Sequence, residues 1–222
     1  LSWLESTGAG RPDNAQRNAR FVTVDSSQEA KYLRAMALGF GVGSTLFAVG
    51  AVMAMLELNA VVIGIVFALG AVCFTTAAAV QWRTAMMRRS RLRLRDPDYM
   101  AAAVQFVGTL FFNVMTIRSL ALTLGSTSTT YEDVWHPDVF GSALFLIASW
   151  IAWHPIARSQ RHHLLHGRSR LICLSNMLGS IFFGVSAVGA RMLPDGTLDN
   201  NTWNNGGTLL GALCFLVGAL AL

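Results

Sequence analysis

A regular alternation of long apolar segments with short polar ones constrains this fold more than any other feature. Six apolar segments lie at about 35–56, 60–81, 99–124, 139–157, 171–193 and from about 207 onward. An α-helix needs about 20 apolar residues to cross the hydrocarbon core of a bilayer. Backbone groups in lipid must be hydrogen-bonded within the segment itself. The alternation therefore predicts an all-α fold, a polytopic bundle of six transmembrane helices arranged as three hairpins.

The composition argues against other classes of protein. Hydrophobic residues make up 53% of the chain and charged residues 13%, whereas a soluble domain carries about 25% charged residues. The net charge of +5 is compatible with nucleic-acid binding, but the basic residues lie in the loops between apolar segments, where membrane topology accounts for them. We therefore expect the lipid bilayer as a partner and no nucleic acid.

The loop charges also predict an orientation. Arginine and lysine occupy the N-terminal tail, the 82–98 loop and the 158–170 loop, whereas the loops at 57–59, 125–138 and 194–206 contain neither. Basic loops stay on the cytoplasmic side, which predicts cytoplasmic N- and C-termini. Lys31 is the only lysine among the basic residues. This arginine bias is typical of GC-rich bacteria, so we expect the bacterial plasma (inner) membrane.

The chain divides into a tail and three hairpins. We expect a loosely ordered cytoplasmic tail at 1–25, a first hairpin with its basic loop at 26–95, a second at 96–170 and a third at 171–222, which continues beyond the last residue. Ser26 and Glu29 have capping-box spacing and predict a helix start. Asp96 followed by Pro97 predicts another.

One pattern recurs once in every apolar segment: a glycine followed four residues later by phenylalanine. The pairs are Gly43 and Phe47, Gly70 and Phe74, Gly108 and Phe112, Gly141 and Phe145, Gly179 and Phe183, and Gly211 and Phe215. Residues at i and i+4 share one helix face, where glycine lets a second helix approach closely and phenylalanine fills the space one turn away. The pattern predicts a helix-packing motif and indicates that the hairpins are internal repeats.

Two stretches carry a family resemblance. Residues 140–149 and 176–186 contain a Gly-Ser-x-x-Phe core, preceded in the second stretch by asparagine, and tryptophan lies near the second helix of the hairpin. In this respect the chain resembles the YrhK-like bacterial membrane proteins over roughly residues 99–222. The resemblance implies short helical hairpins in a membrane, and it implies no assigned chemistry.

Two arginines stand out because they lie within apolar segments. Arg118 and Arg191 occupy similar places on the third and fifth segments, and a central arginine costs about 3 kcal/mol on insertion scales. As a pair they would bind an anionic lipid headgroup or substrate. The alternative is that they snorkel to the interface or pair with acidic residues. The acidic residues in reach are Glu132, Asp133, Asp195 and Asp199.

Other polar residues offer two further sites. Gln105, Asn113 and Asn176 lie in apolar segments, where they form interhelical hydrogen bonds or line a path between helices. His162 and His166 have the i, i+4 spacing of metal ligands. Because no carboxylate or cysteine completes that set, we interpret them as part of a basic loop at the lipid headgroups and expect neither a metal nor a cofactor.

The function expected from these patterns is non-catalytic. The apolar segments contain no aspartate or glutamate, and the chain has no phosphate-binding loop and no nucleophile elbow. We therefore expect a subunit or accessory (assembly) factor of a larger inner-membrane complex, associated with other membrane proteins or with itself, with lipid binding as a further role. The alternative is a passive channel or transporter for a small anion that uses Arg118 and Arg191.

Overall fold

The computed structural model describes residues 26–87, 96–158, 164–194 and 197–222, excluding the side chains of 26, 156–158 and 164–166. Each helix in this part is long and apolar enough to cross a membrane. They are α1 (Ser26–Met55), α2 (Ala60–Met87), α3 (Pro97–Thr123), α4 (Glu132–Arg158), α5 (Leu164–Gly189) and α6 (Asn201–Leu220). Within the described ranges no strand forms, and a lone bridge pairs Met192 with Leu198. The predicted all-α fold with six helices is confirmed, and the tail at 1–25 lies outside the described residues.

Side-chain and backbone caps fix the helix ends. The Asp96 side chain accepts a hydrogen bond of 2.9 Å from the amide of Asp98, which confirms the predicted start of α3. Asn59 does the same for α2 through the amide of Val61, at 3.0 Å. After α3, Gly125 takes a left-handed φ of 87°, and its amide donates to the carbonyl of Leu122, as in a Schellman motif.

The start of α4 corrects the sequence analysis. Residues 132–138 were predicted to lie in a polar loop, but α4 begins at Glu132. Thr130 and Asp133 exchange side-chain and backbone hydrogen bonds of 2.8–3.3 Å, in the manner of a capping box, and this starts the helix early. Asp138 therefore lies inside a transmembrane-length helix, and the expectation that no membrane-spanning segment would contain an aspartate or glutamate is wrong.

The helices form a closed ring. Each one packs on its neighbours in chain order, and α6 packs on α1. Among the described residues, no other pair of helices brings its backbones close together. Successive helices run antiparallel, so the ring has one end that holds the start of α1 and the end of α6, here called the termini end. The opposite end, where the α1–α2, α3–α4 and α5–α6 connections lie, is called the hairpin end.

Glycine and phenylalanine fit together reciprocally within each hairpin. A Cβ added to Gly43 would lie 2.6 Å from the ring of Phe74, and one added to Gly70 would lie 2.9 Å from the ring of Phe47. The same contacts join Gly108 to Phe145, Gly141 to Phe112, Gly179 to Phe215 and Gly211 to Phe183. Each phenylalanine thus occupies space that only a glycine on the partner helix leaves open, so the repeated motif packs inside the hairpins.

The outer face of the ring is apolar. Leu38, Ile117 and Val72 are 68%, 59% and 53% exposed, and many other aliphatic side chains share this face. A soluble monomer rarely exposes so extended an apolar surface, whereas lipid tails solvate it without cost. The surface is therefore that of a multi-pass membrane protein.

Candidate functional site

Six phenylalanines close the centre of the ring. One ring comes from each helix, and each is at least 95% buried: Phe47, Phe74, Phe112, Phe145, Phe183 and Phe215. The three from α2, α4 and α6 all contact one another, with centroids 5.6–6.3 Å apart. Of those from the odd helices, Phe183 contacts both Phe47 and Phe112. We call these residues the phenylalanine layer.

A cavity lies on each side of the phenylalanine layer. The larger, of about 350 Å³, lies at the termini end and reaches Phe215. The smaller, of about 170 Å³, lies at the hairpin end and reaches Phe47, Phe112 and Phe183. The two cavities therefore lie on opposite sides of a layer of aromatic side chains.

One position of the repeat lines both cavities. The residue three places before each motif glycine, one turn away on the same face, points into the interior. On the odd helices this position is Phe40, Gln105 and Asn176, which line the larger cavity. On the even helices it is Phe67, Asp138 and Thr208, which line the smaller one. The first hairpin thus contributes phenylalanine to each cavity, and the other two contribute polar side chains.

The lining of the larger cavity is mostly apolar and includes a set of neutral polar side chains. Gln105 and Asn176 meet Gln81 there, and the Oε1 atom of Gln81 is buried without a hydrogen-bond partner among the described residues. Ser149 also lines it and bonds to Ser180 at 2.8 Å. Asp96 and Asp98, at the start of α3, add two carboxylates near the termini end. The described lining contains no arginine or lysine.

The smaller cavity holds one charged residue among its described lining, Asp138. Asn204, Thr208 and Ser186 lie with it in the lining. The Ser186 hydroxyl is 2.7 Å from that of Thr208 and donates to the carbonyl of Asn204, also at 2.7 Å. The site therefore combines one carboxylate with a set of neutral oxygen atoms.

The start of α4 is anchored over the end of α5, which positions Asp138. The hydroxyl of Tyr131 donates to the carbonyl of Ala190, and the indole Nε1 of Trp135 donates to that of Ala187 at 2.9 Å. These carbonyls belong to the end of a helix, where intrahelical donors run out. Burial, with a smaller contribution from the Asp138 carboxylate, raises the pKa of Tyr131 to about 12, so the phenol remains a donor at neutral pH.

The two arginines lie away from both cavities. Arg118 pairs with Asp133, with 2.7 Å between its Nη1 atom and Oδ1, and both side chains are more than one-third exposed. Arg191 is exposed just after α5 ends. Neither lines the larger or the smaller cavity. The ion pair with Asp133 matches the second interpretation of Arg118, in which it is neutralised by an acidic neighbour.

Of the polar residues predicted within the apolar segments, one joins two helices and two line the larger cavity. Asn113 lines neither cavity; its Nδ2 donates to the Thr109 carbonyl at 2.8 Å and to the Thr75 hydroxyl of α2, so it joins two helices. Gln105 and Asn176 line the larger cavity. His162 and the side chain of His166 lie outside the described residues.

Asp138 is the site residue that the sequence analysis missed. The signal was present, because Asp138 lies three residues before Gly141 just as Gln105 and Asn176 precede their glycines. Averaged hydropathy placed it in a loop, next to Pro137 and a run of polar residues.

Comparison with known proteins adds no relative. The chain matches no protein-family model, no curated protein and no solved structure. The resemblance to YrhK-like proteins therefore stays a prediction, and the function has to be argued from the geometry.

Proposed function

We propose that this protein is a passive conduit for a small polar solute, uncharged or positively charged, in the bacterial plasma membrane. The observation that carries the proposal is the shared lining position: polar side chains at the same place in the repeat project into a cavity on either side of the phenylalanine layer. Polar groups within a bilayer are costly and are retained where they have partners or a pathway to line. In this proposal the layer is the closed gate of that pathway.

The lining chemistry favours the solute class. Among the described wall residues, Asp98 in the larger cavity and Asp138 in the smaller one carry carboxylates, which repel anions. The orphaned Oε1 of Gln81 is an acceptor, so a solute with N–H or O–H donors satisfies it. A buried acceptor left unpaired costs about 1–3 kcal/mol. Small amides, polyols and ammonium ions meet these requirements.

The structure bears on the two functions expected from the sequence, an anion channel and a subunit of a larger complex. Anion passage through Arg118 and Arg191 has less support, because both lie off the cavities. A subunit or assembly role remains a prediction, but its partner surface is not the glycine motif, whose space is taken by phenylalanines of the same chain. A partner would have to bind the aliphatic outer face instead.

The loop charges supply the orientation in this proposal. The termini end holds the α2–α3 and α4–α5 connections, around which the sequence at 82–98 and 158–170 is rich in arginine. We place this end in the cytoplasm by the positive-inside rule. The larger cavity then opens toward the cytoplasm and Asp138 faces the outer side.

The proposal is tested by permeation into proteoliposomes, followed by light scattering after an osmotic step. The probes are urea, methylammonium and formate, which are similar in size and differ in charge. We expect protein-dependent entry of urea and methylammonium that exceeds the entry of formate. A double variant, Gln105→Leu with Asn176→Leu, removes two lining groups, each of which contributes about 0.5–1.5 kcal/mol of hydrogen bonding. We expect entry to fall by about two- to twelvefold per group.

The matched control is Thr45→Val, which removes a polar group from an exposed position of α1 that lines neither cavity. It should leave the rates unchanged. No protein-dependent entry of any probe would contradict the proposal. Faster entry of formate that is lost in Arg118→Gln would establish the anion hypothesis in its place.

A further inference from the structure

The smaller cavity contains a carboxyl group that no described residue pairs with. Asp138 lines it, and among the described residues its carboxylate takes part in no hydrogen bond or ion pair. The guanidinium of Arg118 is paired with Asp133 at 2.7 Å, outside the cavity. A half-buried carboxylate without a partner either takes up a proton or is paired by a cation, and the cavity beside Asp138 leaves room for the second.

Neutral oxygen atoms surround the same space. The amide of Asn204 and the hydroxyls of Ser186 and Thr208 line the cavity with Asp138. Tyr131 also lines the cavity, and because its proton is donated to the carbonyl of Ala190, its oxygen is left with acceptor capacity only. Carboxylate, amide and hydroxyl oxygens together are a ligand set for hard cations.

The size and charge of the site select the kind of cation. A volume of about 170 Å³ holds one small ion with a few waters, since a water takes about 30 Å³. The described residues contain no group of three or more His, Cys, Asp or Glu side chains able to hold a metal ion, and calcium or zinc sites usually need several such ligands. One carboxylate balances one positive charge.

We infer that the cavity at the hairpin end is a binding site for a monovalent cation, an alkali-metal ion or a small ammonium, with Asp138 as its charged ligand. The neutral oxygens of Asn204, Ser186 and Thr208 complete the shell. The inference concerns binding in the smaller cavity alone, and it holds or fails whether or not any solute crosses the phenylalanine layer.

The test measures cation-dependent stability of the purified full chain in detergent. Thermal unfolding is followed while sodium, potassium or methylammonium chloride replaces N-methylglucamine chloride at constant ionic strength. A ligand that binds only the folded state raises the melting temperature in proportion to the logarithm of its concentration above Kd. We expect that rise for at least one small cation, and we expect Asp138→Asn, which keeps the shape and removes the charge, to abolish it.

The control is Glu132→Gln, which removes an exposed carboxylate from the same helix, six residues away and outside the cavity. It should keep the cation-dependent rise. Two results would overturn the inference: an equal rise in wild type and Asp138→Asn, or no rise in wild type with any of the three cations while the protein remains folded. Because permeation is measured separately, failure here leaves the conduit proposal standing, and failure there leaves this site standing.

Discussion

Gly206 and Gly207 are neighbours in α6, yet they meet different surroundings. A Cβ on Gly207 would lie 2.6 Å from the carbonyl oxygen of Phe182 and 2.8 Å from the amide nitrogen of Ser186, whereas one on Gly206 would have no atom within 4 Å. The obstacle at Gly207 is backbone, which cannot turn aside as a side chain can. At the residue scale, the close approach of α5 and α6 therefore depends on a missing methyl group at one position.

This contrast predicts opposite effects for two alanine substitutions. Gly207→Ala should destabilise the fold by about 1–3 kcal/mol through overpacking, which lowers the melting temperature by about 2–12 °C. Gly206→Ala should leave it unchanged or raise it slightly, because alanine is the better helix former by about 1 kcal/mol. Thermal unfolding in detergent measures both. Equal melting temperatures for the two variants would show that α5 and α6 do not approach as described.

At the scale of the element, the first turns of α4 act as a strap over the end of α5. Tyr131 and Trp135 each donate to a carbonyl that the end of α5 leaves unpaired. The strap holds Asp138 in the wall of the smaller cavity. The capping interaction between Thr130 and Asp133 supplies the helical turn on which all three side chains depend.

The strap predicts a loss of stability at high pH. The pKa of Tyr131 is about 12 in the folded protein against an ordinary value of 10.0, so the folded state holds the proton more tightly than the unfolded state. The stabilisation is complete below about pH 10 and is lost as the pH rises from 10 toward 12. Melting temperatures of wild type and Tyr131→Phe, measured from pH 8 to 12, should diverge at neutral pH and converge above pH 10. Parallel curves would contradict a buried phenol.

The elements also show how far the sequence alone can be taken. Hydropathy located the helices, and the Gly–Phe spacing identified the face that packs, because both depend on one segment at a time. Hydropathy missed the early start of α4, because hydropathy averaged over a segment does not detect the capping interaction between Thr130 and Asp133. The spacing does not predict which phenylalanine packs against which glycine. The contact of Phe74 with Gly43, for example, depends on how α1 and α2 lie side by side.

For the whole molecule, the decisive feature is that a closed ring of six helices has its centre filled by side chains from all of them. Phe145 is 1% exposed, and its ring contacts those of Phe74, Phe112 and Phe215. No single hairpin provides this core, so the ring and the phenylalanine layer form together. The same layer keeps the two cavities apart.

Removing one ring from the layer should therefore have two effects. Phe145→Ala should cost about 3–5 kcal/mol of stability, and it should raise permeation of urea and methylammonium by joining the cavities. Phe145→Leu retains most of the side-chain volume. Its stability and its permeation rate should therefore lie between those of the wild type and those of Phe145→Ala. Phe140→Ala is the control, because Phe140 is on the same helix and 57% exposed. Two results would exclude the layer as the gate: faster permeation in Phe140→Ala, or no increase in permeation in a folded Phe145→Ala.

The reciprocal Gly–Phe contact has an evolutionary consequence. Three identical hairpins, assembled as a symmetric trimer, would build the same core, but every lining position would then carry three copies of one residue. Three carboxylates in about 170 Å³ would repel one another strongly. Joining the hairpins in one polypeptide removes that requirement, so that Phe67, Asp138 and Thr208 occupy equivalent places with a single charge among them. Because the three hairpins belong to one chain, their lining residues can differ while their Gly–Phe contacts stay the same.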